Sequence, residues 1–317
     1  HTAVDSACAS SFAAMDIAIR KLRAGEINSA VVGAVGRLSP FLYVYCSKAQ
    51  TMSTSGSFPF DQRASGFVAG EGVGFVALKR LEDAVASNAK IIAVIRGIGG
   101  SSDGSETGPW APNKEGQKLA LTRALKQTGY SLSTVQYVEC HGTGTQAGDV
   151  EELTGLQEML EPLQTQNQSI AVGSAKASTG HLLTGAGMSG LCRTLASLHQ
   201  HKFPPTALVQ NPISFFSKEN CKVYLPTKAM PWPRPALHPR RAMVNCFGFG
   251  GVNYNMQIEE YDEQYHRNYL QEKNKSTEFK RTKKLSQISL QSLSSTYNVP
   301  IAIVGVGLDL PGAKNLQ

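Results

Sequence analysis

The sequence lacks any uninterrupted apolar run of the roughly eighteen residues that a transmembrane helix requires. It also lacks an initial stretch in which a basic segment precedes an apolar one, the pattern of a secretory signal peptide. These two absences predict no membrane span and a cytoplasmic location. The first residue is His rather than Met, so we expect the native start to lie elsewhere.

The positive net charge does not by itself indicate a groove that binds nucleic acid. The net charge is +7, but residues 261–298 alone hold seven Lys and Arg against four Asp and Glu, so part of the excess is local. No groove-reading motif accompanies this charge. We therefore predict no nucleic-acid partner and interpret residues 261–298 as a polar basic linker.

None of the six cysteines forms a CxxC pair, which is the spacing typical of zinc sites and thioredoxin-like motifs. We therefore predict no metal site. Without a secretory signal the thiols are expected to stay reduced, and most serve as small buried side chains. A reactive cysteine must then be identified from its surroundings.

Short apolar strands alternate with longer helical patterns, which predicts a mixed α/β domain that ends near Glu260. Apolar residues at helical spacing follow the first cysteine and stop at Gly25. INSAVVGAVG (27–36) and VQYVEC (135–140) have the composition of buried strands, and residues 240–260 that of a hairpin around glycines.

Cys8 lies in VDSACASS, immediately before the first predicted helix. The positive end of a helix dipole and its free N–H groups favour a thiolate, and small neighbours allow a substrate carbonyl to approach. The alternative is an inert buried cysteine, which describes most cysteines.

Two histidines follow predicted strands, where open α/β sheets place their sites. His141 opens HGTGT, and His181 ends SAKASTGH. Lys176 precedes His181 by five positions, and an ammonium near an imidazole lowers its pKa. Asp149 and Glu152 share one face of a predicted helix. Taken alone, the HG dipeptide at His141 is better explained by a structural histidine.

Together and in this order, the motifs resemble those of the β-ketoacyl synthases of fatty-acid, polyunsaturated-fatty-acid and polyketide assembly. The family's cysteine motif matches residues 5–11, its HGTGT motif with the following GD and Glu matches residues 141–152, and K-x-x-x-G-H matches residues 176–181. A GFGG-x-N turn matches residues 248–253, and FDQRASGFVAGEG (60–72) matches a further block that forms part of the active-site wall.

The resemblance covers about residues 1–260 and implies a thiolase-like α/β fold with mixed five-stranded sheets in αβαβα layers. Family members place the cysteine well inside the domain, so we expect a ketosynthase domain that lacks its N-terminal part. Two departures, Val150 and the segment 252–255, lie outside the family's catalytic set. Residues 299–317 resemble the start of a second ketosynthase-like or chain-length-factor-like domain in the same parent chain, with a generic buried strand as the alternative.

The resemblance implies an acyltransferase that catalyses decarboxylative Claisen condensation of an acyl chain with a malonyl-type extender on acyl carrier protein. Both substrates travel on phosphopantetheine, so no further cofactor is implied, and a homodimer is expected. The resemblance implies that Cys8 is the nucleophile and that His141 and His181 are catalytic, with Lys176, Asp149 and Glu152 in support. It implies that the N–H groups of Cys8 and Phe249 form the oxyanion hole. It further implies that Thr143 and Thr145 bind the pantetheine arm and that Phe247 and Phe249 gate the pocket.

Two alternatives remain open. A thiolase-like or chalcone-synthase-like enzyme would use coenzyme A substrates, although the chalcone type uses a Cys-His-Asn set rather than two histidines with Lys176. A chain-length-factor-like domain would only shape a partner's pocket, but such domains typically lose the cysteine, and Cys8 is present. Acyl chain length, extender and pathway stay open.

Overall fold

The computed structural model describes residues 1–104, 108, 111–163, 169–284 and 299–309. The strands are β1 (Ser29–Gly36), β2 (Gly72–Arg80), β3 (Ala93–Ser102), β4 (Tyr137–Glu139), β5 (Ile170–Gly173), β6 (Lys202–Phe203), β7 (Val223–Tyr224), β8 (Met230–Pro231), β9 (Arg241–Gly248), β10 (Val252–Glu260) and β11 (Ile301–Asp309). The helices are α1 (Ser10–Ala24), α2 (Pro40–Lys48), α3 (Leu81–Ala86), α4 (Lys114–Thr128), α5 (Gln146–Leu160), α6 (Lys176–Thr179), α7 (Ala186–Gln200) and α8 (Glu263–Lys284).

Nine of these strands form one mixed sheet in the order β1-β2-β11-β3-β10-β9-β4-β5-β7. Neighbours are antiparallel from β1 to β9 and parallel from β9 to β7. The predicted mixed α/β fold is confirmed. Within this sheet the strands β3-β10-β9-β4-β5 are mixed in direction, β7 extends them beyond β5, and β11 lies between β3 and the antiparallel pair β1–β2.

The main core lies where α1 and α7 pack against this sheet. The predicted first helix is confirmed as α1, which ends in a left-handed Gly25. Small residues let α7 approach closely: a Cβ at Gly187 would lie 2.5 Å from Ser11 Oγ and 2.7 Å from Cys246 Sγ. Glycines inside a helix lower its stability, but in α7 they allow the helix to pack closely against the segment that carries Cys8.

The segment predicted as a linker is helical over α8, which packs its Leu270 against Leu81, Val94 and Ala302. Beyond it, β11 lies inside the sheet rather than apart from it. Residues 285–298 and 310–317 lie outside the described residues, so a second domain over residues 299–317 stays a prediction. Across the described part of the chain, no helix combines the length and apolarity needed to cross a membrane.

A buried ionic cluster fastens the start of α8 to the sheet. Glu259 on β10 is fully buried and pairs with Arg96 and, at 3.2 Å, with Arg241. His266 Nε2 lies 3.1 Å from the same carboxylate. Burial raises the pKa of Glu259, but the hydrogen bond with His266 and the charge of Arg96 outweigh burial and bring the pKa to about 2.

We predict that Glu259→Ala lowers the free energy of unfolding by about 3–5 kcal/mol, because Arg96 and Arg241 would remain buried without their counter-charge. Equilibrium urea unfolding measures this loss. The control is Glu263→Ala, which removes an exposed ion pair with Arg267 and should change stability little. Equal effects of the two substitutions would contradict a structural role for the cluster.

Candidate active site

Cys8 lies in a tight turn directly before α1, as the sequence predicts. Ala7 has a left-handed φ of 50°, a conformation uncommon for a residue other than glycine. Side-chain hydrogen bonds hold this turn: Ser10 Oγ donates to Ala7 O at 2.6 Å, and Asp5 Oδ1 accepts the Ala7 N–H at 2.9 Å. The half-buried Cys8 side chain is thereby held at the edge of a cavity.

The turn between β9 and β10 comes close to this cysteine because of one glycine. A Cβ at Gly248 would lie 2.7 Å from Ser6 O, so no larger residue fits there. This approach directs the backbone N–H of Phe249 at the Cys8 thiol, alongside the N–H of Cys8 itself. Two N–H groups at one sulfur are suited to stabilise an oxyanion that forms beside it.

Burial raises the pKa of the Cys8 thiol to about 11. The N–H of Phe249 and the charge of Lys176 lower the pKa without cancelling this effect. The neutral thiol is therefore the resting form. This differs from the expectation that the helix terminus would favour a thiolate, because desolvation by the surrounding protein outweighs the effect of the dipole on the thiol.

Both predicted histidines line the same cavity, with ring centroids 5.4 Å apart and ring planes at 85°. His141 Nδ1 accepts the N–H of Phe247 at 3.3 Å, and His181 Nδ1 accepts the N–H of Leu183 at 3.2 Å. In a neutral imidazole whose Nδ1 accepts, Nε2 carries the proton. Both rings thus have an Nε2–H group that can donate to a ligand.

The electrostatic surroundings keep both rings neutral. Burial is the largest cause that lowers the pKa of His141 and of His181 well below the ordinary value, and the positive charge of Lys176 adds to it. Lys176 Nζ donates to the carbonyl oxygen of His141. Lys176 is itself buried and stands behind the cavity wall rather than in it.

The two predicted carboxylates hold the loop that carries His141. Glu152 accepts the N–H of His141 at 2.8 Å and the N–H of Gly142 at 2.9 Å. Asp149 accepts the N–H of Gly144 at 3.1 Å. These hydrogen bonds reach the backbone, so the carboxylates position the loop and not the imidazole ring directly.

Burial raises the pKa of both carboxyls, to about 7 for Asp149, where the neighbouring Glu152 adds to the rise. Backbone N–H donors oppose the rise at each carboxyl.

The cavity measures about 370 Å³ and contains most of the predicted site residues. Eight of the ten line it, whereas Lys176 and Asp149 lie behind the wall. The lining members are Cys8, His141, Thr143, Thr145, Glu152, His181, Phe247 and Phe249. Residues separated by more than 200 positions are thus brought together at one site.

The sequence pattern did not identify the part that α2 plays in the cavity. Leu42, Tyr45 and Cys46 of this helix line the wall, and the Tyr45 ring lies 6.3 Å from that of Phe249. The only available signal was the aromatic run PFLYVYC. Phe67, from the block predicted as a wall element, lines the cavity with its ring 5.0 Å from that of His181.

Comparison with known families agrees with this geometry. Residues 1–84 match the family described as "Beta-ketoacyl synthase, N-terminal domain", and residues 92–210 match "Beta-ketoacyl synthase, C-terminal domain". The chain belongs to the β-ketoacyl synthase family. The resemblance seen in the sequence motifs is confirmed.

Known ketosynthase-containing proteins are similar over most of this chain. One subunit of a polyunsaturated fatty acid synthase from Thraustochytrium sp. is 37% identical over 83% of the chain. One subunit of a phenolphthiocerol/phthiocerol polyketide synthase from Mycobacterium tuberculosis is 38% identical over 81%. The chain spans only 10% and 14% of the length of these relatives.

Solved ketosynthases share the fold, which confirms the thiolase-like expectation. The ketosynthase from module 6 of the bacillaene synthase from Bacillus subtilis 168, solved with one cysteine replaced by serine, matches with a TM-score of 0.79 and 35% identity. That match covers 82% of this chain and 46% of the solved one. The "PfaC Keto synthase-Chain length factor" matches with a TM-score of 0.75 and 35% identity over 81% of this chain and 27% of its own.

The raised pKa of Cys8 predicts how its alkylation depends on pH. Because only the thiolate reacts, the rate with iodoacetamide should rise about tenfold per pH unit from pH 7 to pH 10. Mass spectrometry of the peptide that contains Cys8 measures this rate, with Cys8→Ser as the blank. A rate that levels off below pH 8 would show a thiolate at rest and contradict the expectation.

Proposed function

We propose that this chain carries the condensing site of a ketosynthase, which joins an acyl chain to a malonyl-type extender by decarboxylative Claisen condensation. One observation carries the proposal. The Cys8 sulfur faces two backbone N–H groups in a cavity that two neutral imidazoles also line. Such a site provides one nucleophile and two separate sets of hydrogen-bond donors.

In the first step, the Cys8 sulfur attacks the carbonyl carbon of an acyl thioester on a carrier protein. The N–H groups of Cys8 and Phe249 stabilise the oxyanion. The carbon–sulfur bond to the carrier then breaks, and the carrier thiolate leaves with the proton that Cys8 gives up. The products are an acyl-Cys8 thioester and a free carrier thiol.

In the second step, a malonyl-type thioester loses carbon dioxide and leaves an enolate. The Nε2–H groups of His141 and His181 donate to the enolate oxygen, where negative charge develops. The enolate carbon attacks the carbonyl carbon of the acyl-Cys8 thioester. The bond between this carbonyl carbon and the Cys8 sulfur then breaks. Cys8 regains a proton, and a 3-oxoacyl chain remains on the carrier.

Four further lining residues are proposed to bind the substrate arm or to gate the cavity. Thr143 and Thr145 line the cavity with their hydroxyl oxygens 3.1 Å apart, and they are proposed to contact the phosphopantetheine arm. Phe247 packs on His141 with ring centroids 5.5 Å apart, and Phe249 is half exposed beside α2. Both positions suit side chains that gate a cavity.

The carrier partner, the homodimer, the neighbouring ketosynthase-like or chain-length-factor-like domain and the cytoplasmic location stay predictions. That the reaction uses no metal or nucleotide is also still a prediction.

Two other functions are discriminated by simple measurements. A coenzyme A-dependent condensing enzyme would prefer acyl-coenzyme A over the carrier-bound acyl chain. A chain-length-factor-like domain would fail to become acylated at all.

We predict that Cys8→Ala abolishes transfer of a radiolabelled acyl group from acyl carrier protein to the peptide that contains residue 8. The control is Cys221→Ala, which removes a buried thiol away from the cavity lining and should keep full labelling. Labelling is measured in the full-length parent enzyme. Undiminished labelling of that peptide in the Cys8→Ala protein would overturn the assignment of the nucleophile.

We predict that His181→Ala slows release of carbon dioxide from malonyl carrier protein by about 10²–10³-fold, the usual loss when one donor to a developing oxyanion is removed. Acylation of Cys8 should change only a few-fold, because it uses other donors. The matched control is His238→Ala, which alters a histidine outside the cavity lining. Equal losses in both half-reactions would contradict this division of roles.

A further inference from the structure

Glu139 is a buried carboxylate that the proposed reaction does not use. It ends β4, two positions before His141, and only 1% of its surface is exposed. It does not line the cavity. A carboxylate removed from water this completely is costly unless hydrogen bonds satisfy both of its oxygens. The partners of these two oxygens therefore indicate what the side chain holds in place.

One oxygen of Glu139 is bound from within the sheet and from helix α7. Oε2 accepts the hydroxyl of Tyr137 and, at 2.7 Å, Nη1 of Arg193. The same Arg193 nitrogen donates to the Tyr137 hydroxyl at 2.9 Å, so the three side chains form a closed triangle. A Cβ at Gly190 of α7 would lie 3.0 Å from Glu139 Cγ, so the helix backbone closes over the side chain. The orientation of the carboxylate is thereby fixed.

The other oxygen of Glu139 holds the start of α6. Oε1 accepts the N–H of Ala175 at 2.6 Å, and Ala175 immediately precedes Lys176, the first residue of that helix. Helix α6 has only four residues, so its own backbone hydrogen bonds stabilise it little. Ser174 Oγ adds a second contact by donating to Gly142 O at 2.8 Å. The start of α6 is thus held to the end of β4 and to the loop that follows it.

Glu139 and Lys176 join the same two segments from opposite directions. Lys176 Nζ donates to the carbonyl oxygen of His141, and Glu139 binds the N–H of the residue before Lys176. A lysine has a long, flexible stem, so the position of its ammonium depends on where its backbone is held. Loss of the Glu139 contact would let the start of α6 shift and would move the ammonium away from His141.

The position of this ammonium matters because titratable groups face it from every side. They are Asp149 and Glu152 on α5, Cys246 on β9, Cys8 before α1, and the histidines His141 and His181. The positive charge of Lys176 acts to lower the pKa of each of these groups. The groups that face Glu139 itself are Arg193, Tyr137 and Cys140.

We propose that Glu139 is a positioning residue of the condensing site, which holds the start of α6 and so keeps the Lys176 ammonium against the His141 carbonyl. It acts through Lys176 and touches no substrate. The proposal rests on the proposed function, because the groups it affects are those assigned to the reaction. Its test is the alkylation of Cys8, which needs neither carrier protein nor extender, so a failed condensation assay and a failed positioning role are told apart.

The first test replaces Glu139 with glutamine in the full-length parent enzyme. An amide has one acceptor oxygen where the carboxylate has two, so Glu139→Gln cannot keep both Ala175 and Arg193 in place. With the Lys176 ammonium displaced, the pKa of Cys8 should rise. A rise of about 0.5–1 lowers the thiolate fraction, and hence the rate with iodoacetamide at a fixed pH, about three- to tenfold. Mass spectrometry of the peptide that contains Cys8 measures the rate.

The sign of this change separates positioning from a direct effect of charge. Loss of the negative charge of Glu139 would by itself favour the Cys8 thiolate and speed alkylation. Slower alkylation therefore requires that the Lys176 ammonium has moved, and faster or unchanged alkylation would overturn the proposal. Glu139→Asp is the second variant, which keeps the charge for Arg193 but is too short to reach Ala175 as well. It should also slow alkylation at least about threefold.

A matched control separates positioning from loss of stability. Glu259→Gln makes the same change in another buried carboxylate that pairs with arginines, and Glu259 does not line the cavity. Urea unfolding should show both glutamine variants to be destabilised, whereas alkylation of Cys8 should slow in Glu139→Gln only. Equal slowing in the two variants would assign the effect to general destabilisation and overturn the proposal.

A double-mutant cycle tests whether the effect passes through Lys176. Lys176→Met removes the ammonium and should itself slow alkylation of Cys8. If Glu139 acts by placing that ammonium, adding Glu139→Gln to Lys176→Met should change the rate by less than about twofold. Slowing by the full factor in the double variant would show that Glu139 acts by another route, and the proposal would be wrong.

Discussion

The site depends on one buried anion, the carboxylate of Glu152, and on the backbone it holds. This carboxylate accepts the N–H groups of His141 and Gly142 and a hydrogen bond from Asn245 on β9 at 2.8 Å. It thereby ties α5, the histidine loop and the hairpin strand to one another. Lys176 donates a hydrogen bond to the carbonyl oxygen of His141 in the same loop. A buried charge is costly unless it is fully bonded, and here its bonds fix the geometry of the site.

The reacting groups themselves are neutral at rest. Burial raises the pKa of Cys8 and lowers that of His141 and His181, so neither thiolate nor imidazolium stands in the cavity before a substrate enters. Lys176 and Asp149 lie behind the wall, whereas the Glu152 carboxylate lines the cavity and is occupied by the N–H groups of His141 and Gly142. An acyl chain can therefore enter without desolvating a charge on any of the three reacting groups. Hydrogen-bond donors are held ready for charge that appears only during reaction.

Much of the local structure could be predicted from the sequence, because it depends on short-range patterns. The apolar spacing and Gly25 located α1, and the motif order identified eight residues that do line the cavity. The contribution of α2 was missed, since a short aromatic helix has no pattern that distinguishes a cavity wall from a surface. The pairing of β11 with β2 and β3 was missed for a different reason. Strand pairing between positions more than 200 residues apart leaves no local signal.

The sequence by itself determined which chemical groups are present and the spacing that places each beside a strand end or a helix start. Tertiary structure decided the state of those groups. The tautomers follow from the backbone N–H groups of Phe247 and Leu183, and the high pKa of Cys8 follows from desolvation by distant parts of the chain. Protonation and hydrogen bonding are set by all neighbours in space, and most neighbours in this site are far apart in sequence.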